Sequence, residues 1–308
     1  MSASSPTIAG SVPEFRAAGT DLSERRRSGV SRGPIVDLPV TSGTIGIDWA
    51  ADGSARIGAS TTISAIASDQ RIRDAYPGIA GAAQGLATPQ IRHLATLGGN
   101  LAQRSRCWYF RNPQIGCLKK GGSGCPARSG NHLYHAVFDL GPCVAPHPST
   151  MAMALLAYDA TIATDHRSRL SIPDLLGNGT NGAADNALEP GERIEAISFP
   201  APLASERADY KRAISRTYAE WPLVEICARA LVSGGIFQHV RIAAGGIAPV
   251  PLRLTACEAA LEGKPANAEV IAQAAQLATS GAKPLPMTGY KLELLVGLVR
   301  DVMERIAK

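Results

Sequence analysis

The chain has 308 residues, of which 45% are hydrophobic, so it is long and apolar enough to fill one large or two medium globular cores. A formal net charge of +5 does not by itself indicate a nucleic-acid-binding or membrane-surface protein. The longest strongly apolar stretch, 151–163, is too short to span a bilayer, and residues 1–11 lack the pattern of a secretion signal. We therefore expect a cytoplasmic protein without a membrane span.

Short apolar runs separated by Gly, Pro and Asp predict strands at 35–39 and 55–59. Helical spacing follows at 60–67 and 71–76, and another helix is predicted at 149–156, with Ser149 or Thr150 as its N-cap. The polar, turn-rich stretch 178–186 predicts a surface loop.

A domain boundary is expected near 201–209, and the segments after it predict strands followed by helices. The strands, or a mixture of strand and helix, are predicted at 210–216, 228–232 and 240–247, and the helices at 255–261, 268–278 and 290–307. The chain contains no internal repeat, and the fold class we predict is mixed α+β in two unequal parts.

The first segment that suggests chemistry is 16–22, where a predicted strand turns through Gly19, Thr20 and Asp21. Such a turn exposes successive backbone N–H groups and one hydroxyl, which suits a pyrophosphate. In isolation the same residues are also typical of an ordinary turn.

The second segment is 95–101, which contains Gly98 and Gly99. Paired glycines let the backbone approach a flat or phosphorylated ligand, while Thr96 offers a hydroxyl and Asn100 offers a donor and an acceptor. A simple Gly-Gly turn is the alternative interpretation.

Residues 76–138 contain no Asp or Glu but seven basic side chains: Arg92, Arg104, Arg106, Arg111, Lys119, Lys120 and Arg128. A segment with charges of one sign suggests a bound anion. Because it is rich in glycine and its basic residues are sparse, a phosphate-bearing cofactor or an anionic metal cluster fits better than nucleic acid.

Four of the six cysteines lie within one predicted loop: Cys107, Cys117, Cys125 and Cys143. Their spacing leaves an iron-sulfur cluster, a zinc ion and unliganded thiols open, and the basic surroundings favour the cluster slightly. Cys227 and Cys257 lie apart in apolar segments and are predicted to be buried thiols.

Several segments together resemble the FAD-binding subunits of the xanthine dehydrogenase, aldehyde oxidoreductase and carbon monoxide dehydrogenase family. They are 17–22, 91–100, 147–149, 188–192 and 244–249, so the likeness extends over most of the chain. Residues 104–107, 122–125 and 143–149 are similar to the branch of aldehyde oxidoreductase flavin subunits that carries an extra [4Fe-4S] cluster. The flavin subunit of 4-hydroxybenzoyl-CoA reductase, whose cysteines are placed differently, is the second candidate.

The resemblance implies FAD and a [4Fe-4S] cluster as cofactors, and it assigns no residue to substrate catalysis. The residues it places around the FAD pyrophosphate and ribityl chain are Ala17, Ala18, Gly19, Thr20, Asp21, Leu22, Ala95, Thr96, Gly98, Gly99 and Asn100. It further implies that Leu86 and Ile194 flank the flavin or the adenine, that Lys211 reaches the cofactor, and that Ser149 and Thr150 lie near it. The implied cluster ligands are Cys107, Cys117, Cys125 and Cys143.

Two positions depart from the family pattern. Ala18 stands where the family usually has the first glycine of Gly-Gly-Thr-Asp, which could crowd the phosphate, and Thr150 replaces a common Asp. We expect FAD to bind less tightly as a result. No histidine is predicted to be a ligand, including His93, His132, His135 and His147.

The resemblance implies a two-lobed FAD-binding domain of the PCMH (vanillyl-alcohol oxidase-like) type over residues 1–203, with an iron-sulfur loop at 103–147. A smaller C-terminal domain of the carbon monoxide dehydrogenase flavoprotein type would follow at 204–308. The implied function is to pass electrons from a [2Fe-2S] subunit through FAD to an external acceptor.

The implied partners are a large molybdenum cofactor subunit and a small [2Fe-2S] subunit in a heterotrimer, which can be further dimerised, with no nucleic acid. Co-export to the periplasm with a partner subunit is compatible with this assignment. The alternative from another functional class is a zinc-stabilised binding module that is not an enzyme.

Overall fold

The computed structural model describes residues 13–216 and 219–308. Residues 1–11, on which the expectation about secretion rests, lie outside these ranges. Within them, helices and strands are mixed along the chain, which confirms the predicted α+β class. The search of these residues found no helix with the length and apolar character needed to traverse a bilayer.

The described chain opens with a small parallel pair of strands, β1 (Glu14–Arg16) and β2 (Ile35–Asp37). Helix α1 (Leu22–Arg27) makes the crossover that two parallel strands require. The turn 17–21 therefore leaves the carboxyl end of β1 and leads directly into a helix.

The first main sheet has five antiparallel strands in the order β3-β4-β7-β5-β6. These strands are β3 (Ile47–Trp49), β4 (Ala55–Gly58), β5 (Thr161–Thr164), β6 (Leu170–Ser171) and β7 (Ile194–Phe199). Strand β7 is central, and its Ile197 pairs with Ile57 on one side and Ile162 on the other. All three isoleucines are fully buried, so one face of this sheet forms a core.

Eight short helices lie between the strands of this sheet in the sequence. They are α2 (Ile63–Ser68), α3 (Gln70–Ala75), α4 (Pro77–Gly85), α5 (Pro89–Leu94), α6 (Leu97–Leu101), α7 (Trp108–Arg111), α8 (Thr150–Ala157) and α9 (Ile172–Leu176). The side chain of Ser149 accepts a hydrogen bond from the Ala152 amide, which confirms Ser149, not Thr150, as the N-cap of α8. Every residue of α8 is buried, as expected for a helix that is apolar on all sides.

The second main sheet has four antiparallel strands in the order β11-β10-β9-β8. They are β8 (Arg207–Ala213), β9 (Val224–Ser233), β10 (Ile236–Gly245) and β11 (Leu252–Arg253). Three helices follow: α10 (Thr255–Leu261), α11 (Ala268–Gln276) and α12 (Tyr290–Ala307). The predicted helices at 255–261 and 290–307 are confirmed, and the one at 268–278 ends in a 3₁₀ turn.

The two sheets share a core. Helix α4 packs against β8, and α8 packs against β9 and β10, so side chains of the second sheet such as Tyr210 and Ala243 belong to the first core. A second core lies beneath α10, α11 and α12. Cys227 and Cys257 are fully buried, as predicted.

The stretch between α6 and α8 contains only α7 and two 3₁₀ turns as regular structure. We call residues 103–147 the cysteine loop. The segment 178–186 is an irregular and largely exposed loop, as predicted, but parts of it pack against other segments. A Cβ on Gly182 would lie 2.9 Å from Leu118 Cδ1 of the cysteine loop, and the Asp185 side chain is only 4% exposed. The polar composition of the segment does not predict this packing, because the Asp185 carboxylate is ion-paired rather than hydrated.

Candidate functional site

The turn 17–21 depends on one glycine. Gly19 has φ +75°, in the left-handed region that favours glycine, and its carbonyl accepts a hydrogen bond from the Ser23 amide at 2.8 Å. Ala18 has an ordinary negative φ, so the backbone accepts a side chain at the position where the family usually has glycine.

The glycine segment, residues 95–101, folds as the short helix α6. The Thr96 hydroxyl accepts a hydrogen bond from the Gly99 amide at 3.2 Å, and the Gly98 amide donates to the Ala59 carbonyl at 2.8 Å. A Cβ on Gly98 would lie 2.8 Å from the Ala59 Cβ. Gly98 is therefore needed for close packing of α6 on the chain that follows β4.

The turn and the glycine segment face each other across a cleft with two adjoining parts. The first part, of about 160 Å³, is lined by ten of the predicted site residues: Ala17, Ala18, Gly19, Thr20, Asp21, Leu22, Thr96, Gly98, Gly99 and Ile194. The second part, of about 230 Å³, is lined by Thr20, Asp21, Leu86, Ala95, Gly99, Asn100 and Thr150. Residues far apart in the sequence are thus brought to one elongated cleft.

Hydrogen bonds fix the floor of this cleft. The Ser149 hydroxyl donates to Asn100 Oδ1 at 2.7 Å, so Ser149 supports the cleft from behind without lining it. Gln103, which the sequence did not single out, lines both parts and donates to the Asn100 carbonyl at 2.9 Å and the Pro148 carbonyl at 3.3 Å. Its position three residues after Asn100, on the next turn of the backbone, is the signal that could have found it.

Among the predicted cofactor-binding residues, Lys211 lines neither part of the cleft. Its neighbour on β8, Arg212, lines the second part. Successive side chains of a strand point to opposite faces, so only one of these two basic residues can face the cleft.

Thr150 and Glu225 form a polar contact at the end of the second part. The Thr150 side chain is hydrogen-bonded to Glu225, and the Tyr210 hydroxyl donates to Glu225 Oε2 at 2.9 Å. Burial raises the pKa of Glu225 to about 7. Thr150 stands where the family pattern commonly has Asp. Glu225 of β9 places a carboxyl group beside Thr150 instead.

The positive charge of the acid-free stretch 76–138 is partly offset by acidic residues from other segments. Arg106 and Arg111 contact Asp21 at 3.0 and 2.7 Å, and both also contact Glu24. Lys119 contacts Asp185 at 2.8 Å, and Arg104 is ion-paired with the same carboxylate. Because Arg104 and Lys119 share the Asp185 carboxylate and Arg25 also contacts Asp21, these pairs offset only part of the positive charge.

Asp21 links the cleft to the cysteine loop. Burial alone would raise the pKa of Asp21, but the charges of Arg106 and Arg111 outweigh burial, and the net effect lowers the pKa. Asp21 Oδ2 also accepts a hydrogen bond from the Arg104 amide at 3.2 Å. The side chain of Asp21 is therefore an anchor for the loop as well as a lining residue of the cleft.

The four cysteines of the loop come together. Cys107, Cys117, Cys125 and Cys143 all line a single small cavity of about 20 Å³, together with Lys119. In residues 13–216 and 219–308, no three or more His, Cys, Asp or Glu side chains are arranged to hold a single metal ion. The donor atoms are thus gathered, but not in the geometry of a single-ion site.

The thiols differ in acidity. A hydrogen bond from Cys143 lowers the pKa of Cys125 to about 5, and the same bond raises the pKa of Cys143. Burial raises the pKa of Cys107, whose Sγ lies 3.2 Å from His135 Nε2. Cys125 and Cys143 therefore share one hydrogen bond, in which one thiol favours the thiolate, the metal-binding form.

Comparison with known families gives two matches. A family model described as the FAD binding domain in molybdopterin dehydrogenase matches residues 14–202. A model described as the CO dehydrogenase flavoprotein C-terminal domain matches residues 209–306.

Curated relatives include the aldehyde oxidoreductase FAD-binding subunit PaoB of Escherichia coli (strain K12), 35% identical over 216 residues. That alignment covers 68% of this chain and 66% of PaoB, slightly less than two thirds of its length. The xanthine dehydrogenase FAD-binding subunit of Escherichia coli O157:H7 is 24% identical over 275 residues, which are 88% of this chain and 79% of that subunit.

Among solved structures, the carbon monoxide dehydrogenase from Hydrogenophaga pseudoflava matches with a TM-score of 0.74 and 23% identity, covering 96% of this chain and 89% of that chain. Quinoline 2-oxidoreductase from Pseudomonas putida 86 matches with a TM-score of 0.74 and 20% identity, with the same coverage. At these identities the likeness establishes the fold, including the flavoprotein-type C-terminal part.

Proposed function

Since this chain belongs to the molybdopterin dehydrogenase FAD-binding family, we propose that it passes electrons from a [2Fe-2S] subunit through FAD to an external acceptor. It is a flavin subunit of the molybdenum hydroxylase type and thus part of an oxidoreductase, a family membership that displaces the alternative of a zinc-stabilised binding module. The partners we propose are a large molybdenum cofactor subunit and a small [2Fe-2S] subunit. We also propose the domain boundary at 203/204.

The cleft is the observation that carries this proposal. Gly19 and Gly99 leave its walls without side chains at the points where a flat or phosphorylated ligand must approach the backbone. Its two adjoining parts give it the elongated form that a dinucleotide needs. The chemistry that FAD supplies when bound is the exchange of two-electron and one-electron steps.

The predicted residues divide between the ends of the cofactor. We assign the pyrophosphate to the first part of the cleft, between the turn 17–22 and Gly98. Ile194 then lies toward the adenine and Leu86 toward the flavin, because they line different parts. We assign the basic contact from β8 to Arg212 in place of Lys211, because Arg212 lines the cleft.

We propose that the cysteine loop holds a [4Fe-4S] cluster on Cys107, Cys117, Cys125 and Cys143. Support comes from their convergence on one cavity. Zinc would require sulfurs about 3.8 Å apart, as bonds of about 2.3 Å in a tetrahedron demand, whereas a cluster holds its thiolates farther apart. The cavity of about 20 Å³ means that the loop has to expand around a cluster.

Co-expression with the two partner subunits, followed by purification of the complex, tests the assignment. Denaturation is expected to release about one FAD for each copy of this chain, and iron and sulfide beyond the small subunit's content should each reach about four. An assembled complex without flavin would contradict the proposed function. Bound zinc in place of iron would contradict the proposed [4Fe-4S] cluster but not the proposed flavin function.

A further inference from the structure

Glu225 is a buried carboxyl group at the end of the cleft that we assign to the flavin. It is only 1% exposed, and it lies on β9 directly opposite Arg212 of β8. Thr150, whose side chain is hydrogen-bonded to Glu225, and Arg212 both line the second part of the cleft. Glu225 is therefore separated from the space assigned to the flavin by a single layer of side chains.

The surroundings of Glu225 hold its carboxyl group in one position. The Tyr210 hydroxyl donates to Glu225 Oε2 at 2.9 Å. On the other side, Gly245 of β10 pairs with Glu225, and a Cβ on Gly245 would lie 2.6 Å from Glu225 Oε1. Contacts from β8, β10 and α8 thus enclose the carboxyl, and the glycine leaves the room that it occupies.

Few charged groups act on Glu225. Tyr210 and Arg212 face it from β8, and Cys227 lies two positions along β9, while α8 offers only a hydroxyl and β10 only a glycine. Burial raises the pKa of Tyr210 and of Cys227 well above their usual values, so both groups stay neutral. Arg212 is the permanent charge of this set.

Glu225 lies near the midpoint of its titration at neutral pH. Burial opposes its charged form, whereas the two hydroxyls and Arg212 favour that form, and the pKa rises from 4.5 to about 7. Charges in a dry interior act strongly on each other. Negative charge that arrives in the second part of the cleft is therefore expected to favour the protonated form of Glu225.

We propose that Glu225 is a redox-linked proton site, which takes up a proton when electrons reach the flavin end of the cleft and releases it when they leave. The inference rests on the proposed function, in which a [2Fe-2S] subunit supplies the electrons and an external acceptor removes them. The proton comes from solvent and binds a carboxylate oxygen of Glu225. Its uptake offsets part of the added negative charge, so reduction becomes easier as the pH falls.

The pH dependence of the reduction potential of bound FAD tests the proposal. Redox titrations of the purified complex, followed by the flavin absorption band, are made at several pH values from about 6 to 9. Above about pH 7 the wild-type potential is expected to fall more steeply than that of Glu225→Gln, by about one proton for every two electrons. Glutamine keeps the shape of the side chain but does not take up the proton.

Glu258→Gln is the matched control. Glu258 is a buried carboxyl of α10 that pairs with Arg253 and lines neither part of the cleft, so the potential of this variant should follow wild type. Tyr210→Phe is a second test, because it removes a hydroxyl that stabilises the charged form of Glu225. The pKa of Glu225 should then rise, and the steeper interval should begin at a higher pH.

Infrared difference spectra between the oxidised and the reduced complex detect the proton directly. A protonated-carboxyl band should appear on reduction in wild type and in Glu258→Gln but not in Glu225→Gln. FAD content is measured in every sample. Equal steepness in wild type and in Glu225→Gln that holds FAD overturns the inference and leaves the proposed function standing. If Glu225→Gln loses its FAD, an unchanged steep interval in Tyr210→Phe overturns the inference. A wild-type complex without FAD contradicts the proposed function itself.

Discussion

Gly19 is the cleft residue whose backbone is most constrained. Its φ of +75° favours glycine, and a Cβ there would lie 3.2 Å from Arg16 Cδ and 3.3 Å from Ser23 Oγ. Any side chain therefore strains the turn and pushes it against its neighbours at the point assigned to the pyrophosphate.

Gly19→Ala is expected to reduce FAD affinity at least tenfold while lowering stability by only about 1–2 kcal/mol, the usual strain of a left-handed alanine. The measurement is FAD retained after dialysis, with urea unfolding in parallel. Gly53→Ala is the matched control, because Gly53 has φ +86° in a turn outside the cleft with its nearest contact at 3.9 Å. Equal FAD loss in both variants would show that general strain, not the cleft, is responsible.

Single residues also show where sequence reasoning succeeds and fails. Ser149 could be predicted as an N-cap because the signal is local: a short hydroxyl side chain directly before an apolar run. Asp185 could not be found, because its partners Arg104 and Lys119 are 81 and 66 positions away and only the folded chain joins them. Lys211 stays a prediction, and the sequence alone does not show which of Lys211 and Arg212 faces the cleft, because that depends on the face of a strand whose register is set by β9.

At the scale of elements, the cysteine loop contains little regular structure and is held to other segments by several ion pairs. Its arginines bind Asp21 and Glu24 of the first βα unit, and its Lys119 binds Asp185. These ion pairs hold the loop in place through side chains other than the four thiols. The fold of the loop and the binding of a cluster are therefore separable.

Cys117→Ser is expected to reduce iron to near zero in this chain while FAD is retained, since three thiolates do not complete a four-cysteine cluster site. Iron, sulfide and flavin content of the purified protein are the measurements. Cys257→Ser makes the same change at a buried thiol outside the loop and should retain both cofactors. Equal loss of iron and FAD in Cys117→Ser would mean that the flavin cleft needs the cluster in order to fold.

The regular elements were the easiest part to predict. Helix α12 shows clear helical periodicity, and both ends agree with the sequence. The long strands β9 and β10 were predicted too short, because seven consecutive buried residues, 224–230, hide the alternation that marks a strand. The cleft itself required tertiary structure, since its two parts combine residues from 15 to 222.

At the scale of the whole molecule, Lys291 ties helix α12 to the rest of the protein. Its ammonium group is 1% exposed and donates to the Tyr134 carbonyl at 3.0 Å and the Gly246 carbonyl at 2.8 Å. Burial lowers the pKa of Lys291 from 10.5 to about 7. A neutral amine still offers two donors, enough for both carbonyls.

This burial predicts a pH dependence of stability. Between about pH 7 and 10.5 the unfolded chain binds the Lys291 proton and the folded chain does not, so the free energy of unfolding rises with pH in that interval. Lys291→Met removes this contribution, so the stability of wild type relative to the variant should rise by at most about 4 kcal/mol from pH 7 to 10. Urea unfolding at several pH values measures it.

Lys283→Met, at an exposed lysine, is the control and should run parallel to wild type. If the stability curves of wild type and Lys291→Met also run parallel from pH 7 to 10, the buried lysine remains charged in the fold and the predicted linkage is wrong.

Helix α8 is enclosed on every side, with the first sheet's core around it and β9 and β10 against it. The two regions that sequence families treat as separate modules therefore share a buried core. Cutting the chain between the two regions is expected to expose apolar surface on both fragments, and each fragment is then expected to aggregate. Truncation is thus a poor way to assign roles to either half of this protein, and point substitutions in the intact chain are the informative route.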